Sequence, residues 1–238
     1  MVTYAYVIAG SEATGGAGIQ VDLKTFHQLG VFGMGTITCV VSVDPKNNWA
    51  HRFVPLDAGL IADQIEAATS IRSLDTVKVG MLGTAATIAA GLKRQAWKNV
   101  VVDPVLICKG GDLGPAREVD DQLREKILSQ ATVATPNYFE ACTLSGLDRL
   151  ETVEEMTEAA RIISAQGPRY VLVKGGVDFP APTPSMSCGT ARRPPSTPSR
   201  RSATRGCPAQ DAPWRPPSRP SWPRAPESTT PSASPKTS

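Results

Sequence analysis

Short apolar runs alternate with stretches of helical spacing along the first three quarters of the chain. Residues 4–9 form an apolar run that ends at Gly10, which predicts a strand and a tight turn. Ile19, Leu23 and Phe26 recur at helical spacing and predict a helix over 17–29. Residues 36–43 are β-branched and apolar, which predicts a second strand. Asp57 is placed to cap a helix running through Ile61, Ile65 and Ala68. Further strands are expected at 77–79, 100–102, 131–134 and 170–173, and helices at 85–97, 119–128, 138–145 and 153–165. Short strands separated by helices indicate an α/β sandwich, a mostly parallel central sheet covered by helices on both faces. Ligands of such sheets bind outside the carboxyl ends of the strands. Gly10, Val43, Gly80, Asp103, Thr135 and Lys174 all fall at or just past predicted strand ends.

Composition divides the chain in two. Residues 1–180 carry 16 Lys+Arg and 20 Asp+Glu, net −4, whereas residues 181–238 carry nine and two, net +7. The overall +3 therefore comes from the tail. Residues 181–238 also hold 14 of the 21 prolines and 11 serines, with no Val, Ile, Leu, Phe or Tyr. A segment without large aliphatic residues cannot offset the entropy of ordering its backbone, so 181–238 is expected to be disordered and 1–180 to be the folded domain. No run of 18 apolar residues occurs, and no secretory signal opens the chain, so neither a membrane partner nor export is expected. The five cysteines lack CxxC spacing, which fits reduced thiols in the cytoplasm.

Several motifs carry chemistry. The glycine-rich turn 10–18 follows a strand and opens a helix, so its backbone can approach a ligand closely; a plain tight turn is the alternative. It is not a Walker A loop, because Gly16 and Ala17 stand where Lys and Ser/Thr are required. Asp103 ends a valine strand and is a metal or substrate ligand, or a turn cap. Asn137 and Glu140 lie three apart at a helix start, on one face, which also fits a capping box. Lys174 precedes Gly175 and Gly176 and suits a cation reaching a phosphate, or a solvated turn lysine. Cys108 would ordinarily be a small buried residue.

Taken together, five blocks resemble the ribokinase-like vitamin kinases. They are Gly-Gly-Ala-Gly-Ile-Gln-Val-Asp-Leu-Lys-Thr at 15–25, Val-Gly-Met-Leu at 79–82, Val-Asp-Pro-Val-Leu-Ile-Cys-Lys-Gly at 102–110, Thr-Pro-Asn at 135–137 and Val-Lys-Gly-Gly at 173–176. That group contains the hydroxymethylpyrimidine/phosphomethylpyrimidine kinases and their pyridoxine (pyridoxal) kinase relatives. The resemblance implies a ribokinase-like fold and transfer of the ATP γ-phosphate to a hydroxymethyl group on a pyridine or pyrimidine ring. By the same resemblance Gly10, Asp22, Val43, Met81 and Cys108 line the ring site, with His51 nearby. Asp103 and Glu140 would hold Mg2+ through water. Asn137, Lys174 and Gly176 would face the phosphates, and Lys174 and Cys108 are the candidate catalytic residues. The implied partner is a small-molecule substrate, and the group's members are often homodimers. Residues 44–51 resemble the loop of the pyridoxine branch. Pyrimidine-specialised members usually carry Gln where Val43 stands, and valine cannot pair with a pyrimidine amino group. The resemblance therefore favours a B6 vitamer, pyridoxine or pyridoxal, as the substrate, with hydroxymethylpyrimidine as the alternative. Glu12 departs from the Asp usual in the group and is one methylene longer.

The resemblance stops near residue 180. The family's late Gly-Ala-Gly-Cys or Gly-Thr-Gly-Cys loop, whose N–H groups form the anion hole, is missing: Gly206-Cys207 is followed by Pro208. Reading the third base of each codon with the first two of the next permits Gly-Pro-Asp-Ala-Val-Asp-Val-Leu-Trp-Asp-Gly from 180 onward, a typical strand and turn of the family. From 206 onward the same shift permits Val-Ser-Gly-Ala-Gly-Cys-Thr-Leu-Ala-Ala-Ala, the missing loop and its helix. A one-base deletion near codons 179–180 accounts for the tail, and a genuine extension is the alternative. An out-of-frame origin also explains the tail's basic charge, so nucleic acid is not expected as a partner. The chain as written is expected to be catalytically inactive.

Overall fold

The computed structural model describes residues 2–47, 50–82, 97–106, 122–176, 179–180 and 186–189. All of them lie in one compact unit, residues Met1–Pro195. The described strands form one eight-stranded sheet in the order β3-β2-β1-β4-β5-β6-β7-β8. They are β1 (Thr3–Glu12), β2 (Val31–Asp44), β3 (Ala50–Pro55), β4 (Thr76–Val79), β5 (Asn99–Val102), β6 (Val133–Ala134), β7 (Tyr170–Lys174) and β8 (Met186–Gly189). The six central strands run parallel, and β3 and β8 close the two edges antiparallel. A parallel sheet needs cover on both faces, and its central strands are accordingly rich in apolar residues. In β1 the six residues from Ala5 to Gly10 are buried in succession.

Four α-helices are described: α1 (Gly18–Gln28), α2 (Ala58–Ile71), α3 (Tyr138–Ser145) and α4 (Val153–Ala165). Local chemistry starts them where the sequence indicates. The Asp57 carboxylate accepts N–H bonds from Gly59 and Leu60 at 2.8 and 3.2 Å and caps α2. Thr152 with Glu155, and Asn137 with Glu140, form reciprocal capping boxes on α4 and α3. Helix α3 ends at Gly146, whose φ of 74° supplies the left-handed turn. Helix α1 lies close on β2 because Gly33 and Gly35 lack side chains. A Cβ on Gly33 would come within 2.7 Å of Leu23, and one on Gly35 within 2.8 Å of Ile19. The main core joins Tyr6, Ile8, Val77, Val79 and Val102 of the sheet with Ile61 and Ile65 of α2 and Met156 and Ile163 of α4.

Several expectations need correction. β2 begins at Val31, five residues before the predicted strand, because its glycine-bearing first half still pairs with β1. β3 was not expected, since Ala50–Pro55 has weak alternation and is held by its antiparallel register with β2. The α-helix expected at 119–128 is instead a π-helical turn, Leu123–Ile127, followed by a 3-10 turn, Leu128–Gln130; residues 119–121 lie outside the described residues. The helix expected at 85–97 also falls outside them, apart from Trp97. The tail, expected to be disordered from 181, contributes β8, which pairs Met186 with Lys174 and Gly189 with Val171. Ladder bonds use backbone groups alone, so a segment without strong β-formers can still close a sheet edge. The remainder of the tail lies outside the described residues.

Candidate active site

The carboxyl ends of β1, β4, β5 and β7 converge on two adjoining features. The first is a cavity of about 480 Å3 lined by Gly10, Asp22, Lys78, Met81 and Asp103, together with apolar side chains that include Val41 and Phe53. That volume lies within the roughly 300–1,000 Å3 usual for small-molecule sites. The second is a cluster of charges beside it, Asp103, Glu140 and Lys174.

Gly10 sits at the irregularity in the β1–β2 register, between Ala9 and Ser11, and a Cβ there would stand 2.6 Å from Cys39 Sγ and 3.7 Å from Met81 Sδ. Its carbonyl also lies against Gly18, whose φ of 66° turns the chain into α1. The intervening loop is braced by its own side chains. Glu12 accepts from the Thr14 amide at 2.8 Å and from its hydroxyl at 2.5 Å, and these bonds hold its carboxyl below the usual range. Gly15 N–H donates to Glu12 O, and Lys24 donates to the Gly15 carbonyl at 3.1 Å. The longer Glu12 side chain therefore serves as an internal tie, and the Thr14 and Gly15 amides are already engaged.

Asp22 on α1 forms an ion pair with Lys78 on β4 at 2.9 Å, with the two side chains 15% and 23% exposed. Thr38 donates to the Met81 carbonyl at 2.7 Å, which fixes the turn after β4. Val43 pairs across the hairpin with His51, and Val41 with Phe53. Alternation puts Val43 on the same face as Val41, one step further out. The cavity is lined by the inner pair. Cys108 lies outside the described residues.

The charged cluster is assembled by backbone register. Asp103 follows β5, and its N–H donates to Val79 O at 2.8 Å. Lys174 ends β7, with its N–H on Pro136 O at 2.8 Å. Its ammonium reaches Asp103 Oδ1 at 2.9 Å. Glu140 is buried, 4% exposed, and accepts the Asn137 N–H at 2.8 Å. Burial pushes its carboxyl up to about 7; the Asn137 N–H opposes that rise, Asp103 adds to it, and Lys174 opposes it. Asn137 and Lys174 form an isolated parallel β-bridge, side by side beyond β6 and at the end of β7. Gly176 occupies the turn after β7, where its φ of 61° favours glycine.

The raised Glu140 gives a pH prediction. Its folded value lies above that of an unfolded chain, so the folded state holds an extra proton between the two. The contribution of this group to folding stability is full below the unfolded value, near 4.5, and is lost as pH rises through about 7, above which it levels off. The decline attributable to this group is on the order of 3 kcal/mol. Chemical denaturation at pH 5 and pH 8 in metal-free buffer should show it, and Glu140→Gln should remove most of the difference. An unchanged difference in that variant would assign the pH dependence to other groups.

Sequence reasoning singled out Gly10, Asp22, Met81 and Asp103, which the structure brings to one cavity, and Asn137, Glu140 and Lys174, which it places together beside Asp103. It missed Lys78, Val41 and Phe53. Lys78 was readable as a charge inside an otherwise apolar strand; Phe53 was not, because β3 itself was not foreseen.

A parallel α/β sheet with an apolar ring-sized cavity and an adjoining carboxylate–lysine cluster defines a small-molecule site of the kind found at strand carboxyl ends. The family model for phosphomethylpyrimidine kinase matches residues 12–186, and the chain belongs to that family. It is 46% identical over 175 residues to the pyridoxine kinase of Bacillus subtilis (strain 168), covering 72% of this chain and 65% of that protein. It is 36% identical over 175 residues to the hydroxymethylpyrimidine/phosphomethylpyrimidine kinase of Escherichia coli (strain K12), covering 72% and 65%. The chain thus spans slightly less than two thirds of the length of these relatives. The fold is similar to the ADP complex of Bacillus subtilis pyridoxal kinase, with a TM-score of 0.71 and 39% identity over 82% of this chain and 78% of that one. No helix among the described residues is long and apolar enough to cross a membrane.

Proposed function

We propose that the site is that of an ATP-dependent kinase that phosphorylates the hydroxymethyl group of a B6 vitamer, pyridoxine or pyridoxal. The observation that carries this reading is the apolar cavity opening beside Asp103, Glu140 and Lys174. The ring would be buried on the Gly10, Met81 and Phe53 side, with its hydroxymethyl directed toward Asp103. Lys174 and the Asn137 end of α3 would face the nucleotide phosphates. Phosphoryl transfer asks the protein mainly for positioning and charge neutralisation. Asp103 and Glu140 fit a hard divalent cation. They are two oxygen ligands close enough that Asp103 raises the proton affinity of Glu140, and a cation shared between them relieves that repulsion. Mg2+ held there would neutralise charge on the phosphates. Cys108, outside the described residues, is assigned near the ring by the family resemblance alone.

A B6 substrate is supported by the higher identity to the pyridoxine kinase. Hydroxymethylpyrimidine is the second reading, supported by the family model that matches. The test is a substrate panel on the chain with its reading frame restored after residue 179. We expect kcat/KM for pyridoxine or pyridoxal to exceed that for hydroxymethylpyrimidine. A tenfold preference for hydroxymethylpyrimidine over every B6 vitamer would overturn the assignment. Homodimer formation and a cytoplasmic location belong to the same proposal.

A further inference from the structure

We propose that Lys78 and Asp22 are the ring-recognition pair of the cavity, selecting a heteroaromatic ring whose acidic hydroxyl faces Lys78 and whose ring N–H faces Asp22. The inference rests on the B6 reading above and names the chemistry that would make that ring preferred.

Lys78 lies in the middle of β4 between the fully buried Val77 and Val79, where a solvent-seeking lysine is out of place. Its ammonium turns along the strand toward the carboxyl end. A Cβ on Gly80, two residues on and on the same face, would stand 2.9 Å from Lys78 Nζ. The bare Gly80 leaves room for the ammonium at the cavity wall, where Asp22 from α1 meets it at 2.9 Å. The pair is distinct from the phosphate-side lysine. β4 and β7 are separated by two intervening strands, which puts Lys78 and Lys174 on backbones roughly 14 Å apart.

A lone lysine in such a place would suit a phosphate. Asp22 cancels its charge, so a polyanion would meet a carboxylate as closely as an ammonium. The pair instead offers one donor and one acceptor in an otherwise apolar wall, and this fits a neutral ring that carries a matching acceptor and donor. A 3-hydroxypyridine supplies both, because its hydroxyl proton transfers readily to the ring nitrogen and leaves a phenolate oxygen and a pyridinium N–H. A ring that enters the cavity displaces water from the pair. If it lacks the oxygen, the ammonium loses hydration and gains nothing, and sites built to bond a substrate hydroxyl discriminate strongly against its absence.

The test is isothermal titration of the full 238-residue chain at neutral pH with pyridoxine, 3-deoxypyridoxine and hydroxymethylpyrimidine. The unmodified chain should bind pyridoxine at least about tenfold more tightly than 3-deoxypyridoxine. Lys78→Met should bring that ratio to within about threefold of unity, while Lys78→Arg retains a clear preference. The double variant Asp22→Asn/Lys78→Met leaves no unpaired charge in the wall, so it guards against simple misfolding, and it too should lose the ratio. A ratio near unity in the unmodified chain, or an undiminished one in Lys78→Met and the double variant, would overturn the inference and leave the B6 reading standing. Binding of hydroxymethylpyrimidine without binding of either pyridine, or no binding of any of the three, would overturn both.

Discussion

Supplied with ATP, Mg2+ and pyridoxal, the 238-residue chain should turn over at least about 10²-fold more slowly than the same chain with its reading frame restored after residue 179. The expectation follows from what residues 181–238 contain. With permitted codon choices the restored frame reads Gly-Ala-Gly-Cys, and by family resemblance the amides of that loop, at the start of a helix, surround the transferring phosphoryl group. Removing one preorganised donor of this kind costs roughly 10²–10³ in rate. Losing the acid–base partner that the resemblance assigns to the loop cysteine costs about 10²–10⁴ more. The two losses need not add, but either alone is large. The family match ends at residue 186, close to the point where the restored frame diverges. The groups described at the site, Asp103, Glu140 and Lys174, all precede that point, so binding of nucleotide or ring does not depend on the tail in the way that turnover does. Side-by-side assays at equal concentrations decide the matter. Turnover within tenfold of the restored enzyme would show that the loop is dispensable or replaced.

The sequence and the structure agree most where one local signal was enough. Asp57 and Asn137 each precede a helical pattern, and each caps a helix in the structure. β4, β5 and β7 end at the residues where the apolar run stops, because a strand buried on both faces shows its length directly in sequence. The first half of β2 was hidden by Gly33 and Gly35, which weaken strand propensity but let α1 approach. β3 and β8 are held in place chiefly by their neighbours, and no local pattern could have announced them. The same limit applies to the site. Gly10, Asp22, Met81 and Asp103 were found through motifs, whereas Phe53 comes from the unforeseen edge strand. The valine chosen by resemblance, Val43, lies one step outside the pair that lines the cavity. The glycine-rich loop was expected to present free amides, yet Glu12 and Thr14 already occupy part of that capacity.

In the frame-restored enzyme, Lys174→Met should lower kcat by about 10²–10³ while changing KM for pyridoxal by less than about threefold. Lys174 is fixed at its root by the β7 ladder and by its N–H bond to Pro136 O, and at its tip by Asp103 at 2.9 Å. Its side chain is 38% exposed, so the ion pair itself contributes little to stability and its removal should leave the fold intact. The value of the ammonium lies in its placement. It stands at the end of the cavity where the ring's hydroxymethyl would meet the phosphates, and charge there is redistributed during transfer. A cation already oriented by Asp103 needs no reorganisation at that moment, which is the condition under which such groups affect kcat and leave ground-state binding alone. If Lys174 acts only as a partner for Asp103, the outcome differs in kind. Lys174→Met would then alter the pH dependence of folding through Glu140, and kcat would fall by less than about fivefold. Measuring kcat, KM and the pH profile of stability on the same variant separates the two roles. A large loss in kcat, with the lysine's effect on pyridoxal affinity absent, is the result expected if Lys174 faces the transferring phosphoryl group.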